Sequence, residues 1–231
     1  LADRVRGEEN TVVTIDFQRG EEIVTLDITR GVIRNTAFGR MIDNDTAYLE
    51  IYQFGEDTGA EVDQYMQLFK DSGAKDIIID LRDNGGGYLS TLEEIGSMFV
   101  PKDGILIQQE IYSGEKLVSK SSGNIMVEFD EIIILVNENS ASASEVLTAA
   151  IKENMEATIV GVTTYGKGTV QQQHAFSDGS ALKYTVAEWL TPKGNHINGV
   201  GINPDVVVDL HPVMHEPFSE LTDDEAYGYD T

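Results

Sequence analysis

Three short segments hold residue types that could carry out bond-making chemistry: "DNGGGY" at 83–88, "NENSASASE" at 137–145 and "GVTTYGKGTVQQQ" at 161–173. The last poses the sharpest question, because Lys167 could hold a phosphate or remove a proton. Its first letters nearly spell the phosphate-cradling loop G-x-x-x-x-G-K-[ST], and "EATIVG" before it reads as the strand such a loop follows. The match breaks at Gly168, which stands where a Ser or Thr hydroxyl would hold magnesium. As a base, a lysine must lose its proton. An exposed lysine titrates at about 10.4, and burial in an apolar pocket can lower that by up to roughly 3 to 5 units because the charged form loses its hydration. Val162, Tyr165 and Val170 are the neighbours that could supply such a pocket, against the plainer reading of a solvated loop lysine.

Ser140, Ser142 and Ser144 alternate with alanines just before a helical pattern. The plainer reading is a capping box, Ser142-Ala143-Ser144-Glu145, in which the serine side chain bonds the third backbone N–H and the glutamate bonds the first. The chemical reading is a nucleophile at a helix N-terminus, where free N–H groups and the positive end of the dipole stabilise an oxyanion. Gly85, Gly86 and Gly87 admit two readings as well. Glycine permits a tight turn with positive φ, and a backbone without side chains lets a substrate carbonyl reach N–H donors.

These loops need elements to position them. Strand and helix patterns alternate through "TAYLEIYQF", "TGAEVDQYMQLFKDSG" (a helix stopping at Gly73), "KDIIIDLR", "YLSTLEEIGSMFV", "EIIILVNE", "ASEVLTAAIKENM" and "ATIVGV". The runs Ile77-Ile78-Ile79 and Ile132-Ile133-Ile134 predict strands covered on both faces of an α/β sheet. The three chemical loops then fall at the carboxyl ends of strands, where ligands sit in such sheets. At the start, "TVVTIDFQRGEEIVTLDITR" predicts a hairpin around Arg19-Gly20-Glu21, and two strands are too few to stand alone. Residues 1–30 therefore read as the end of a β-rich module. From about Gln172 the pattern returns to strands, with a hairpin expected around Pro192-Lys193-Gly194. Residues 213–231 carry six acidic residues and no Lys or Arg, the composition of a solvated or disordered tail.

Composition narrows the partners. The formal charge of −24 over 231 residues makes broad contact with nucleic acid or anionic lipid repulsive. Cysteine is absent, which excludes disulfides, zinc–thiolate sites and a thiol nucleophile. No apolar run is long enough to span a membrane. The four histidines, His174, His196, His211 and His215, lie outside the three loops and in no zinc spacing, though a Ser-His-Asp triad assembles in space and is not excluded by sequence distance. No cofactor is expected.

Taken together and in order, "DLRDNGGG", "SASASE", "YGKGTVQ" and "GINPD" resemble the carboxyl-terminal processing peptidases, or tail-specific proteases, which are serine proteases with a Ser-Lys pair. The resemblance covers residues 1 to about 210. It implies an α/β fold with a crotonase-like αβ spiral core flanked by β-rich segments, the peptidase core occupying residues 31–212 and residues 1–30 matching the end of a PDZ domain. By position it implies Ser142 as nucleophile, Lys167 as general base, Gln171 as the residue orienting that base, and the N–H groups of Ala143 and Gly86 as the oxyanion hole. Gly85 replaces the proline of the family's N-P-G-G loop, which leaves Gly87 as an alternative to Gly86. The implied substrates are unstructured C-terminal tails of proteins, met outside the cytoplasm, and homo-oligomerisation stays open. Two other readings compete: a catalytically silent peptide-binding scaffold of the same fold, and a nucleotide-binding protein using "GVTTYGKG".

Overall fold

The computed structural model describes residues 5, 7–19, 22–31, 35–176 and 179–208. Its centre is a six-stranded sheet built from β3 (Ala37–Met41), β4 (Thr46–Ile51), β5 (Asp76–Asp80), β8 (Glu131–Val136), β9 (Thr158–Gly161) and β12 (Val206–Val207). The strand order is β12-β9-β8-β5-β4-β3, parallel throughout except for the antiparallel pair β3–β4. Helices α1 (Thr58–Ser72), α2 (Leu89–Phe99) and α3 (Ala143–Met155) follow β4, β5 and β8 in the chain.

Sequence patterning explains the helices closely. Helix α1 stops at Gly73, whose φ of 74° is left-handed, and the N–H groups of Gly73 and Ala74 bond back to the carbonyls of Lys70 and Phe69. Helix α3 starts and stops where the apolar pattern does, with Ser142 as its N-cap.

The sheet itself departs from expectation. Ala47, Leu49, Ile51, Ile77, Ile79, Ile132, Ile134, Val136 and Ile159 form one buried face. They share a core with Val62, Met66 and Phe69 of α1, Leu92 and Ile95 of α2, and Val146, Leu147 and Ile151 of α3. Alternate residues, Tyr48, Ile78, Ile133 and Leu135, are only half-buried, so the strands are not covered equally on both faces. Topology supplies the reason. From β4 to β5, β8, β9 and β12 each step moves in the same direction across the sheet, and right-handed crossovers then put the helices on one side. Each large apolar side chain taken fully from water on that side contributes about 1.5–3 kcal/mol.

A second, antiparallel sheet has the order β10-β11-β6-β7, from β6 (Ile105–Ile111), β7 (Lys116–Lys120), β10 (Thr169–Ala175) and β11 (Ala181–Leu190). The Gln-rich β6 and the short β7 carry weak apolar alternation and escape sequence reading. The expected hairpin around Pro192-Lys193-Gly194 is reduced to one bridge between Leu190 and His196, because β11 takes β10 and β6 as its neighbours. At the amino end β1 (Val12–Arg19) and β2 (Glu22–Thr29) form the predicted hairpin, with Thr14 and Thr25 each donating to an aspartate across the strands. Gly20 and Glu21 at its turn, and the acidic tail at 213–231, lie outside the described residues. No described helix is long and apolar enough to cross a membrane.

The segment after β11 returns to brace the sheet. Asp205 accepts the Ile159 N–H at 2.8 Å and the Lys152 ammonium at 2.5 Å, tying β9 to the last turns of α3. The backbone bond to Ile159, then the bond from Lys152, hold the Asp205 carboxyl below its ordinary titration range. A depressed folded-state pKa adds stability above the unfolded value and loses it as pH falls through the folded one. Asp205→Asn should therefore lower Tm at neutral pH, and the gap from the parent should close in acid below the ordinary carboxylate range. A gap of equal size at both pH values in thermal denaturation would detach the effect from the ionised carboxylate.

Candidate active site

Because β5, β8 and β9 run parallel, the loops that follow them meet at one edge of the sheet. Backbone and side-chain bonds lock the first two together. Ala141 N–H and Ser144 Oγ both donate to the Asn84 carbonyl, at 3.0 and 2.8 Å, and Ser140 Oγ donates to the Leu81 carbonyl at 2.7 Å. Asn84 is fully buried; its Nδ2 donates to the Ile51 carbonyl and its Oδ1 accepts the Gly86 N–H at 2.9 Å. Nothing local in the sequence marks Asn84 for this tertiary role.

The three serines now separate. Ser140 and Ser144 are wholly buried with their hydroxyls committed inside, whereas Ser142 is half-buried and stands at the helix start. Ser142 has φ 59° and ψ −116°, a sparsely populated conformation for a residue with a side chain. Such strain persists only where surrounding contacts over-determine it. The capping box with Glu145 is present too, with Ser142 N–H donating to Glu145 Oε2 at 2.8 Å. Capping and nucleophilic chemistry are compatible, since an Oγ that accepts an N–H keeps its own proton to give.

The glycine loop lies directly against this serine. A Cβ on Gly86, at φ 98°, would come within 2.8 Å of the Ala141 carbonyl, 2.9 Å of Ser142 Cβ and 3.0 Å of Ala143 N. On Gly87 it would strike the Phe54 carbonyl at 2.2 Å, while on Gly85 it would meet open space. The N–H of Gly86 is engaged by Asn84, so for it to serve an oxyanion its bond must become shared. Among the described residues, no hydrogen bond takes up the N–H of Ala143 or Gly87.

The third loop closes the site. Lys167 N–H donates to Glu145 Oε2 at 2.8 Å, the same oxygen that holds Ser142 N–H, so the two backbone nitrogens lie within about twice that distance of each other. Gly166 N–H and Thr164 Oγ1 donate to the other oxygen, each at 2.6 Å. Glycines fit this loop against 197–202: a Cβ on Gly168 would sit 2.1 Å from Asn198 N, and one on Gly201 2.4 Å from the Thr164 carbonyl. That is why "GINPD" accompanies the lysine loop.

Two alternatives that the sequence left open lose support. The Lys167 side chain is exposed and Tyr165 is 69% exposed, so the plainer reading of a solvated loop lysine holds and Val162, Tyr165 and Val170 do not enclose the amine. The nucleotide reading also fails on geometry. Lys167 leads into strand β10 and not into a helix whose N-terminus could bind phosphate, and no Ser or Thr fits at 168 beside Asn198. Gln171 lies exposed on β10, just after a register irregularity, and no hydrogen bond among the described residues joins its amide to Lys167. His174 stacks edge-on against Phe176 and His196 pairs with Glu188, while His211 and His215 lie outside the described residues. No described hydrogen bond brings a histidine to Ser142.

The Peptidase family S41 model matches residues 45–208, the whole span from β4 to the brace at Asp205. The chain belongs to peptidase family S41. This S41 chain is 40% identical over 207 residues to a probable CtpA-like serine protease of Staphylococcus aureus (strain N315), covering 89% of the chain and 42% of that protein. It is 34% identical over 224 residues to the Staphylococcus epidermidis protein of the same description, covering 96% of the chain and 45% of that protein. The S41 chain thus spans less than half the length of these curated relatives. Among solved structures, a photosystem II D1 C-terminal processing protease superposes with a TM-score of 0.76 at 30% identity, over 88% of this chain and 57% of that one. A lipoprotein from Streptococcus agalactiae, 20% identical with a TM-score of 0.62 over 76% of this chain and 66% of that one, shares the fold.

The glycine geometry makes a paired prediction. Gly86→Ala should destabilise the S41 chain by roughly 1–3 kcal/mol, from positive-φ strain and the forced retreat of the Ser142 turn. Gly85→Ala, in open space, should stay within about 0.5 kcal/mol of the parent. Thermal denaturation of both decides, and equal Tm values for the two variants would contradict the close approach.

Proposed function

We propose that this chain is the core of a serine endopeptidase that uses Ser142 and Lys167 to cleave unstructured C-terminal tails of proteins. The observation that carries the reading is the convergence at one sheet edge of a strained serine, a glycine loop against its Cβ, and a lysine whose backbone shares an acceptor oxygen with the serine's. Membership of family S41 supports the reaction class, and the D1 C-terminal processing protease supports the substrate class.

In this mechanism the Lys167 amine takes the Ser142 Oγ proton as the oxygen attacks the peptide carbonyl. The carbonyl π electrons move to oxygen, and the oxyanion is held by Ala143 N–H and by Gly86 N–H, whose bond to Asn84 becomes shared. The Lys167 ammonium then protonates the departing amine as the C–N bond breaks. Water, losing a proton to Lys167, hydrolyses the acyl-serine and returns the Ser142 hydroxyl. Gln171, on β10 four residues after Lys167, orients the base once the amine turns toward Ser142. Since Lys167 is exposed, desolvation of its amine comes with the bound peptide, which covers the edge and excludes water.

The one-directional sheet with its helices on a single face supports a crotonase-like αβ spiral for residues 31–212. The β1–β2 hairpin, with Phe17, Ile23 and Leu26 exposed, supports reading residues 1–30 as part of a PDZ-like module.

The test is cleavage of a protein with an unstructured C-terminal tail by the full-length protein, with product masses measured. Ser142→Ala and Lys167→Ala should each lower kcat by about 1,000-fold or more, and both should retain tail binding. A Lys167→Ala variant with full activity would sink the Ser-Lys assignment, and a parent that binds tails without cutting them would favour the silent scaffold.

A further inference from the structure

Glu145 is wholly buried. Its two oxygens accept four hydrogen bonds: Oε2 from Ser142 N–H and Lys167 N–H, each at 2.8 Å, and Oε1 from Thr164 Oγ1 and Gly166 N–H, each at 2.6 Å. All four donors are neutral, and no described salt bridge includes this residue. Burying a carboxylate is strongly unfavourable unless its lone pairs are filled. Here they are filled, and the position in the first turn of α3 places the charge at the favourable end of the helix dipole.

A capping box accounts for one of these bonds, the return from the glutamate to the N-cap N–H. The other three go to residues 164–167, in a loop that follows a different strand. A cap alone requires none of them. Thr164 extends the linkage, since its Oγ1 gives its proton to Glu145 and accepts the Ile202 N–H at 2.7 Å.

We infer that Glu145 is a positioning residue for the peptidase reaction: its carboxylate fixes the strained Ser142 turn and the Lys167 loop to one another, and so sets the distance over which the proton passes. The inference rests on the Ser-Lys reading. It assigns no contact with substrate to Glu145. Gln cannot replace it without loss, because one of the two terminal atoms becomes an NH2 group, a donor facing two donors. Asp cannot replace it either, because a chain shorter by one methylene cannot reach both loops.

The experiment measures kcat and KM of the full-length protein on a tailed substrate for the parent, Glu145→Gln, Thr164→Val and Thr164→Ser, with Ser142→Ala and Lys167→Ala alongside and Tm recorded for each. In Glu145→Gln kcat should fall by roughly 100-fold, the scale of a misplacement of about 1 Å at a reacting centre, with KM within about threefold of the parent. Thr164→Val keeps the shape and removes the donor, so its kcat should fall by about tenfold, and Thr164→Ser should restore it. A folded Glu145→Gln protein with the parent's kcat overturns the inference. If Glu145→Gln does not fold, the Thr164 pair decides: a kcat lost in Val and regained in Ser supports positioning, and full kcat in Val overturns it. An active Lys167→Ala, or an inactive parent, would instead remove the Ser-Lys reading itself. An inactive Lys167→Ala beside a fully active Glu145→Gln refutes the positioning role alone.

Discussion

A single buried carboxylate holds together the loops at the candidate site of this molecule. Glu145 lies in the first turn of α3 and bonds the backbone of the serine before it and the backbone of the lysine loop beyond β9. A charge in the interior is tolerated only when every lone pair has a donor, which makes the arrangement all-or-none. Moving either loop leaves a buried oxygen without its partner, at about 1–3 kcal/mol or more for a charged group. That penalty is what keeps Ser142 in a conformation that its own φ and ψ disfavour. Glu145 thus joins segments separated by some twenty residues of chain through four short bonds.

The carboxylate can do this only because the sheet brings its strand ends together. Parallel β5, β8 and β9 deliver their following loops to the same edge, and the buried side of the sheet holds α2 and α3 close behind it. Asn84 performs for the glycine loop a service like that of Glu145 for the lysine loop, giving or accepting bonds with β4, Gly86, Ala141 and Ser144. Glycines complete the fit. Gly86, Gly168 and Gly201 sit where another backbone passes too close for a Cβ, so their absence of side chain serves packing between loops as much as local turning.

Membership of family S41 fits this edge, and the match ends at residue 208, just past the Asp205 brace. The exposed Lys167 amine gives the edge an open character. Nothing among the described residues covers that side chain, so the lysine loop is fixed by its backbone bonds to Glu145 while its side chain stays in water.

Much of this was legible in the chain. Helix α3 follows its apolar spacing and its capping signature, Gly73 ends α1 as its type predicts, and the chemical loops fall at strand ends because parallel strands feed helices. Those features depend on neighbours a few residues away, and local sequence records them. The one-sided sheet, the burial of Ser140 and Ser144 but only partial burial of Ser142, the pairing of β11 with β6, and the open setting of Lys167 depend on segments distant in the chain. Glu145 shows the division most sharply. By itself the sequence determined a glutamate three residues after a helix-capping serine; only the tertiary structure decided that three more donors would come from the lysine loop, because a carboxylate has more lone pairs than one cap can fill and burial requires that each find a partner.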